Sequence, residues 1–359
     1  MEVGRQKENK TRWKLGDKEI ENCRTYKYLG EIISRDGTND ENLKGRRDKV
    51  KSTVRAINTC GKGDVMRKIE VEVLITLHNA VTLPTLLYNA ETWPLNATSR
   101  KEIDKIELWA WKSMLGLPKT TPSAAVMFVT GALYASIRVQ AKQLIYLQKV
   151  LRKPENHWTK TTLMTLKLHN TGWAKQVVEN LMEWELESDW GNIKEKSINE
   201  WKREVNEAAE KMNRIKLLGD CYKKERGTST IKTKAQKLIS IIESDDYVRQ
   251  PQPFMTKNKI VARAYIMGRF GMLQCAFNFS NGHSTKNCRT CEVVDDEPHR
   301  INVCPVWNKI NLSHRRESID YNQIYSDDEN ESRKVVDQIL AMWDLGNNKN
   351  CMRTVDMPN

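Results

Sequence analysis

The sequence predicts a mainly α chain with a small N-terminal β-hairpin region and a small CCHC zinc knuckle. Three observations carry that prediction. Apolar residues recur at helical spacing from about Asn39 to Leu151, β-type patterning is confined to residues 12–37, and Cys288, Cys291, His299 and Cys304 crowd into one otherwise polar stretch.

The N-terminal region, residues 1–38, reads as hairpin. Trp13-Lys14-Leu15 and Lys18-Glu19-Ile20 flank Gly16-Asp17, a turn dipeptide between short strand-like runs. A second hairpin is expected next, since Tyr26 to Ile33 is aromatic and β-branched and ends at Asp36-Gly37, again a turn signal.

Residues 39–153 read as a packed helical domain. Leu43, Val50, Val54 and Ile57 form one stripe, while Lys44, Arg46, Arg47, Lys49, Lys51 and Arg55 load the rest of the same helix with positive charge. Gly61 and Gly63 break it, and Asp64 is placed to cap a second helix with Met66, Ile69, Val73, Leu74, Leu77 and Val81 on its buried side. His78 on that helix reads as a packed histidine. Ser99-Arg100-Lys101-Glu102 has capping-box form and opens a helix that stops at Gly116. Thr121-Pro122 starts a short helix, and Ser136 a longer one to Leu151.

Residues 154–250 are more polar and read as a helical linker region, with Trp173, Trp184, Trp190 and Trp201 among many Glu and Lys. After Pro251-Gln252-Pro253, residues 251–312 hold an amphipathic helix and the knuckle. Residues 313–359 hold a last helix, with Val335, Val336, Ile339, Leu340 and Trp343 on one stripe, and a loose tail.

The knuckle assignment rests on ligand chemistry. A C-x2-C turn points two sulfurs inward, and the His-x4-Cys pair completes a tetrahedron of three thiolates and one imidazole. Such a shell leaves no open position, which predicts a structural Zn²⁺ and not a hydrolytic one. The chain has 359 residues and a formal net charge of +13, a balance that favours RNA or DNA as partner. No long apolar run and no signal peptide are visible, so the expectation is an intracellular protein of nucleus and cytoplasm with no membrane partner. Such a compartment keeps thiols reduced and makes clustered cysteines metal ligands.

Taken in order, four motifs resemble the region that follows the catalytic palm in reverse transcriptases of non-LTR, LINE-like retrotransposons. They are Tyr28-Leu29-Gly30 with Ile32 and Gly37, Leu86-Leu87-Tyr88 with Glu91-Thr92-Trp93, Leu115-Gly116-Leu117-Pro118 with Thr121-Pro122, and the Cys/His cluster. The resemblance implies that Tyr28, Leu29 and Gly30 belong to a primer-grip-like hairpin at the end of the palm and that residues 39–153 are thumb-like. It also implies that the knuckle helps to hold RNA or target DNA.

Polymerisation by that family needs carboxylates holding metal ions, and in the family these lie upstream of the Tyr-Leu-Gly hairpin. The expectation is therefore a nucleic-acid-binding C-terminal piece of an RNA-directed DNA polymerase, inactive alone, with Mg²⁺ relevant only if joined to an upstream polymerase fragment. Tyr325-Ser326-Asp327-Asp328 fits the Y-x-D-D pattern of such active sites, but the polar residues after it read as a capping box, Ser326 to Glu329, before the final helix. No proline precedes an aspartate, which removes the Pro-Asp of a restriction-like nuclease. Lys44, Arg46, Arg47, Lys49, Lys51 and Arg55 are then candidates for duplex phosphates, and Lys286, Arg289 and Arg300 for a single strand or structured RNA. A domesticated or decayed zinc-containing helical protein acting in protein interaction is the alternative.

Overall fold

The computed structural model describes residues 13–20, 23–60, 69–225, 229–270, 287–288, 291–294, 296, 298–304, 320–326 and 328–346. The chain is mainly helical, with two antiparallel two-stranded hairpins near the N-terminus. It divides into two compact units, each discontinuous in sequence. The first draws its described residues from 1–60, 76–111 and 132–216, the second from 61–75, 112–131 and 217–359.

In the first unit, β1 (Trp13–Leu15) pairs with β2 (Lys18–Ile20) across Gly16-Asp17, as the turn dipeptide predicts. The expected second hairpin is also present. It is two strands, β3 (Thr25–Tyr28) and β4 (Glu31–Ser34), and the chain reverses at Leu29-Gly30, with φ of +46° and +87°. Two consecutive positive φ values mark the tight turn whose twist matches a hairpin. Asp36-Gly37 is a separate turn, in which the Asp36 carboxylate accepts from the Thr38 N–H and hydroxyl, both at 2.9 Å.

α1 (Asp40–Cys60) buries Leu43, Val50 and Val54 on the predicted stripe. The helical run after it changes pitch. It is α in α2 (Val71–Leu77), π at His78–Thr82 and α again in α3 (Leu83–Leu86). A π turn takes in an extra residue and rotates the helix face. That is why Val81, expected inside, is 43 % exposed, while Thr82 and Leu86 continue the buried line of Leu74 and His78 at four-residue steps; Val73, before the turn, is also 43 % exposed. Residues 61–68, with the expected cap Asp64 and with Met66, lie outside the described residues.

α4 (Ala97–Leu115) begins before Ser99, because the Asn96 side chain, not Ser99, takes the capping role and accepts the Ser99 N–H at 2.8 Å. It ends at Gly116, with φ of +67°, as predicted. α6 (Ala135–Leu151) is capped from α4: Glu107 accepts the Ala135 N–H at 2.7 Å and Asp104 the Ser136 N–H at 2.9 Å. Two carboxylates thereby meet the positive end of a helix dipole and satisfy buried donors. Burial pushes the Asp104 carboxyl up, and the Lys216 ammonium 3.0 Å away opposes that shift.

α7 (Trp158–Leu168), α8 (Gly172–Glu183), α9 (Trp190–Glu195) and the first part of α10 (Ile198–Glu225) are part of the first unit's core and do not form a separate spacer. Their tryptophans explain this. Trp184, Trp190 and Trp201 are buried, so each polar-looking helix keeps one apolar face. α8 also satisfies the irregular segment before α4, where Gln176 exchanges two 2.8 Å hydrogen bonds with the Leu95 backbone. Gln143 on α6 and Trp173 on α8 donate to the carbonyls of Trp93 and Glu91 in the same segment.

The second unit contains α5 (Ser123–Thr130), α11 (Ser229–Glu243), α12 (Lys259–Arg269) and α13 (Glu329–Gly346). α13 buries Val335, Val336 and Ile339, the predicted stripe. Its cap is Asp328, whose carboxylate accepts the Asn330 N–H at 2.8 Å; Ser326 stands further out and accepts the Asp328 N–H. Tyr325 ends a 3-10 turn and donates to the Arg269 carbonyl at 2.6 Å. The described part of the Tyr-x-Asp-Asp sequence thus lies in a turn and a helix cap. Among the described residues no single helix is long and apolar enough to cross a membrane.

Gly131 closes α5 with φ of +59°, and a Cβ there would stand 2.4 Å from the Gln250 carbonyl carbon. Left-handed backbone costs an L residue about 1 kcal/mol or more, and the clash is with main chain that cannot rotate away. Gly131→Ala is expected to lower the stability of the second unit by about 2–4 kcal/mol, read as a lower urea midpoint. An unchanged midpoint would mean that the segment around Gln250 moves aside freely.

Candidate metal centre and basic helix

In the second unit, Cys288, Cys291, His299 and Cys304 offer ligand atoms that all lie within 4.8 Å of one another, so the cluster can hold a metal ion. Local backbone chemistry builds it. Residues Asn287 and Val294 pair as an antiparallel bridge, the Cys288 N–H donates to the Val293 carbonyl at 2.7 Å, and Glu292 takes φ of +58° to close the turn. That turn brings Cys288 and Cys291 together. Asp296 accepts the His299 N–H at 2.8 Å and starts a π turn, His299–Val303, whose closing bond from the Cys304 N–H to the His299 carbonyl is also 2.8 Å.

The sulfur spacing fits a tetrahedral ion. With a metal–sulfur bond of about 2.3 Å, a tetrahedron has sulfur–sulfur edges of about 3.8 Å. The Cys304 sulfur lies 3.8 Å from that of Cys288 and 3.9 Å from that of Cys291. A disulfide needs about 2.05 Å. His299 is buried and its Nε2 has no hydrogen-bond partner, a state that coordination would relieve. Burial, reinforced by hydrogen bonds to Cys304 and Cys288, pushes the Cys291 thiol up to about 12. A divalent cation inverts that balance, because it stabilises the thiolates that mutual crowding disfavours.

In the first unit the six cations of α1 are not equivalent. Lys44, Lys49 and Arg55 are exposed, Arg47 and Lys51 are half-buried, and Arg46 is buried. Arg46 is therefore a correction to the expected phosphate face. It donates to the Glu31 carboxylate at 2.8 Å and to the Gly30 carbonyl at 3.2 Å, and its guanidinium sits 4.7 Å from the centroid of the Tyr88 ring. Position 46 falls on the apolar stripe, three residues after Leu43 and four before Val50, and that spacing is the sequence signal for its burial.

Around Glu31 two of the four sequence motifs converge. Its carboxylate accepts from the Trp93 indole at 3.1 Å and from the Asn42 amide at 3.3 Å, as well as from Arg46. Tyr88 donates its hydroxyl to the Leu29 carbonyl at 3.1 Å. Tyr28-Leu29-Gly30, Leu87-Tyr88 and Glu91-Thr92-Trp93 therefore occupy one site, with Tyr28 and Leu29 exposed at its tip. The sequence reading missed Glu31; its signal is a lone carboxylate within an aromatic and β-branched run. Burial first, then repulsion from Arg46 and Lys27, holds the Lys49 ammonium below its usual range, so positive charge concentrates between β3 and α1.

Lys286 and Arg289 lie outside the described residues, as does the side chain of Arg300. Comparison with protein-family models, with curated proteins and with solved structures returns no match for this chain.

Glu31→Ala would leave Arg46, only 4 % exposed, without its carboxylate. Breaking a buried pair costs roughly 3–5 kcal/mol, and the lower end applies because Glu31 is 17 % exposed. The expected result is a urea midpoint lowered by about that amount. A midpoint equal to the parent's would show that Arg46 rehydrates without cost.

Proposed function

We propose that this chain is a nucleic-acid-binding, post-palm region of a non-LTR retrotransposon reverse transcriptase, with no catalytic residue of its own. The observation that carries the reading is the site around Glu31. Two of the four motifs that resemble the family meet there, and they fix a helix whose outward side presents Lys44, Lys49 and Arg55. Lys49 and Arg55 form no ion pair among the described residues, so both are available to phosphates. Phosphate contacts of this kind give affinity without sequence readout. Template-primer, element RNA and target DNA are the ligands the resemblance suggests, and Mg²⁺ chemistry belongs to an upstream polymerase fragment.

The metal in the Cys/His cluster is read as structural Zn²⁺. Cys288, Cys291, His299 and Cys304 would hold it, and it would supply folding free energy to a segment with few apolar residues of its own. Lys286, Arg289 and Arg300 are the cations this segment would offer to a single strand.

A protein-interaction reading is favoured by a different observation. Leu15 and Leu29 on the hairpins and Trp158 and Leu168 on α7 are each about three-quarters or more exposed. Affinity for nucleic acid decides between the two.

Binding to an RNA–DNA primer-template is expected to weaken steeply with salt, with a log–log slope of roughly −0.9 per phosphate contacted. Lys44→Glu, Lys49→Glu and Arg55→Glu together should flatten that slope by about two to three units. No binding at physiological salt, or a slope that the triple variant leaves unaltered, would refute the role given to α1. For the metal, the parent chain is expected to bind one equivalent of zinc and Cys288→Ser to lose it, with faster hydrogen exchange around residues 287–304. Full zinc content in that variant would mean that other ligands hold the ion.

A further inference from the structure

The first unit has a groove between α1 and α4 that phosphate tracking along α1 does not explain. Arg47 and Lys51 form one wall, one turn apart on α1; Glu102, Lys105, Ile106 and Trp109 form the other, on one face of α4. It encloses about 210 Å³. Pockets for drug-sized ligands span roughly 300–1,000 Å³, so this one suits a single planar ring system and excludes a dinucleotide cofactor.

Its chemistry has three parts. Trp109 is half-buried and Ile106 is buried, and together they give the groove an apolar wall with an aromatic ring. Arg47, Lys51 and Lys105 stand around it against the one carboxylate of Glu102, an excess of positive charge. Glu102 is 3.6 Å from the Arg47 guanidinium and 3.7 Å from the Lys105 ammonium. Both distances exceed ordinary charge-assisted hydrogen bonds of about 2.7–2.9 Å, so the carboxylate keeps lone pairs for a ligand N–H. The Arg47 Nε is buried and has no hydrogen-bond partner, the carboxylate of Asp48 being 3.9 Å away. A ligand that fits all of this has a flat apolar ring, at least one N–H on its edge, and negative charge beside it.

We propose that this groove holds one unpaired base of a single-stranded nucleic acid, stacked on Trp109, with its N–H edge on Glu102 and its flanking phosphates on Arg47, Lys51 and Lys105. The proposal rests on the nucleic-acid reading and deepens it, since it adds single-strand capture to phosphate tracking. A base in a duplex has its ring covered and its N–H edge paired, so it cannot enter. Glu102 only accepts hydrogen bonds. Guanine offers two N–H groups on one edge, whereas uracil offers one N–H between two carbonyls that a carboxylate repels. Guanine is therefore the favoured occupant.

The test compares a short guanine-containing single-stranded RNA, an oligouridylate of equal length and an RNA–DNA duplex, each bound to the full chain. Trp109→Ala is expected to weaken the guanine-containing strand about tenfold, within what losing one stacked base costs, and to leave the duplex unaffected. Trp109→Phe should retain most of the affinity, and ultraviolet cross-linking of the guanine strand should map to Trp109. Lys105→Ala covers the case in which Trp109→Ala fails to fold. Lys105 is 73 % exposed, so its loss leaves the fold intact, and it should lower the single-strand salt slope by about one. Single-strand binding equal to the parent's in both variants, with cross-links elsewhere, overturns the groove while duplex binding stands. Loss of preference for guanine over uridine in the parent overturns the role of Glu102. Failure of the parent to bind any of the three ligands overturns the nucleic-acid reading itself.

Discussion

The ion pair between Arg46 and Glu31 is the constraint on which the described N-terminal architecture depends. A buried guanidinium and a mostly buried carboxylate lose hydration that Coulomb attraction alone does not return. The cost is offset only because every neighbour contributes a polar atom. Trp93 and Asn42 donate to Glu31, the Gly30 carbonyl accepts from Arg46, and the Tyr88 ring faces the guanidinium. Such a set closes in one arrangement, with only the buried Arg46 Nε among these atoms left without a hydrogen-bond partner. It fixes the hairpin turn at Leu29-Gly30, the rotation of α1 about its axis and the path of the chain through Trp93 together. Its effect is specificity of geometry more than stability, in keeping with what buried charged networks contribute elsewhere.

Once α1 is held by Arg46, the other cations on it are sorted by geometry. Lys44, Lys49 and Arg55 point away from the core, and Arg47 and Lys51 line the groove against α4. A formal charge of +13 overstates what is available for a polyanion, because several cations are used internally. Lys160 is 3 % exposed and pairs with Glu155; Lys216 pairs with the buried Asp104; Arg100 donates to Asn180 on α8. What carries the functional reading is the local placement of a few exposed cations on a rigid helix.

Much of this was legible in the sequence where a local rule decides the structure. Gly16-Asp17 specifies a hairpin turn, Gly116 and Pro122 bound helices, and the stripe of Leu43, Val50 and Val54 gives the buried side of α1, all without tertiary information. The Cys/His cluster was legible for the same reason, since ligand spacing along the chain already limits how the atoms can meet. The failures share one cause, which is tertiary demand overriding the local pattern. The hairpin within Tyr26 to Ile33 was legible, but the place of its turn was not, because Leu29 does not announce a positive φ. Val81 looks buried because nothing local announces the π turn at His78. Residues 154–250 look like a spacer because Glu and Lys dominate them, although Trp184, Trp190 and Trp201 read as core anchors and tie α8 to α10 into the first unit. Arg46 is the intermediate case, since its spacing from Leu43 predicts burial while its charge argues against it.

His78 shows why the π turn persists despite its cost. Its ring is fully buried, stacks on Trp111 at a centroid distance of 3.9 Å and places Nε2 3.5 Å from Glu107. An uninterrupted α-helix would rotate the residues after His78 by about one position and expose Thr82 or Leu86 in place of Val81. Leu86 and Leu87 must be inside for Tyr88 to reach the Leu29 carbonyl and for Trp93 to reach Glu31. The local irregularity at residues 78–82 is thus what brings the Leu-Leu-Tyr motif into phase with the hairpin. A π turn in one helix and a buried charge pair in another are two parts of one solution, since the first sets the phase that the second requires.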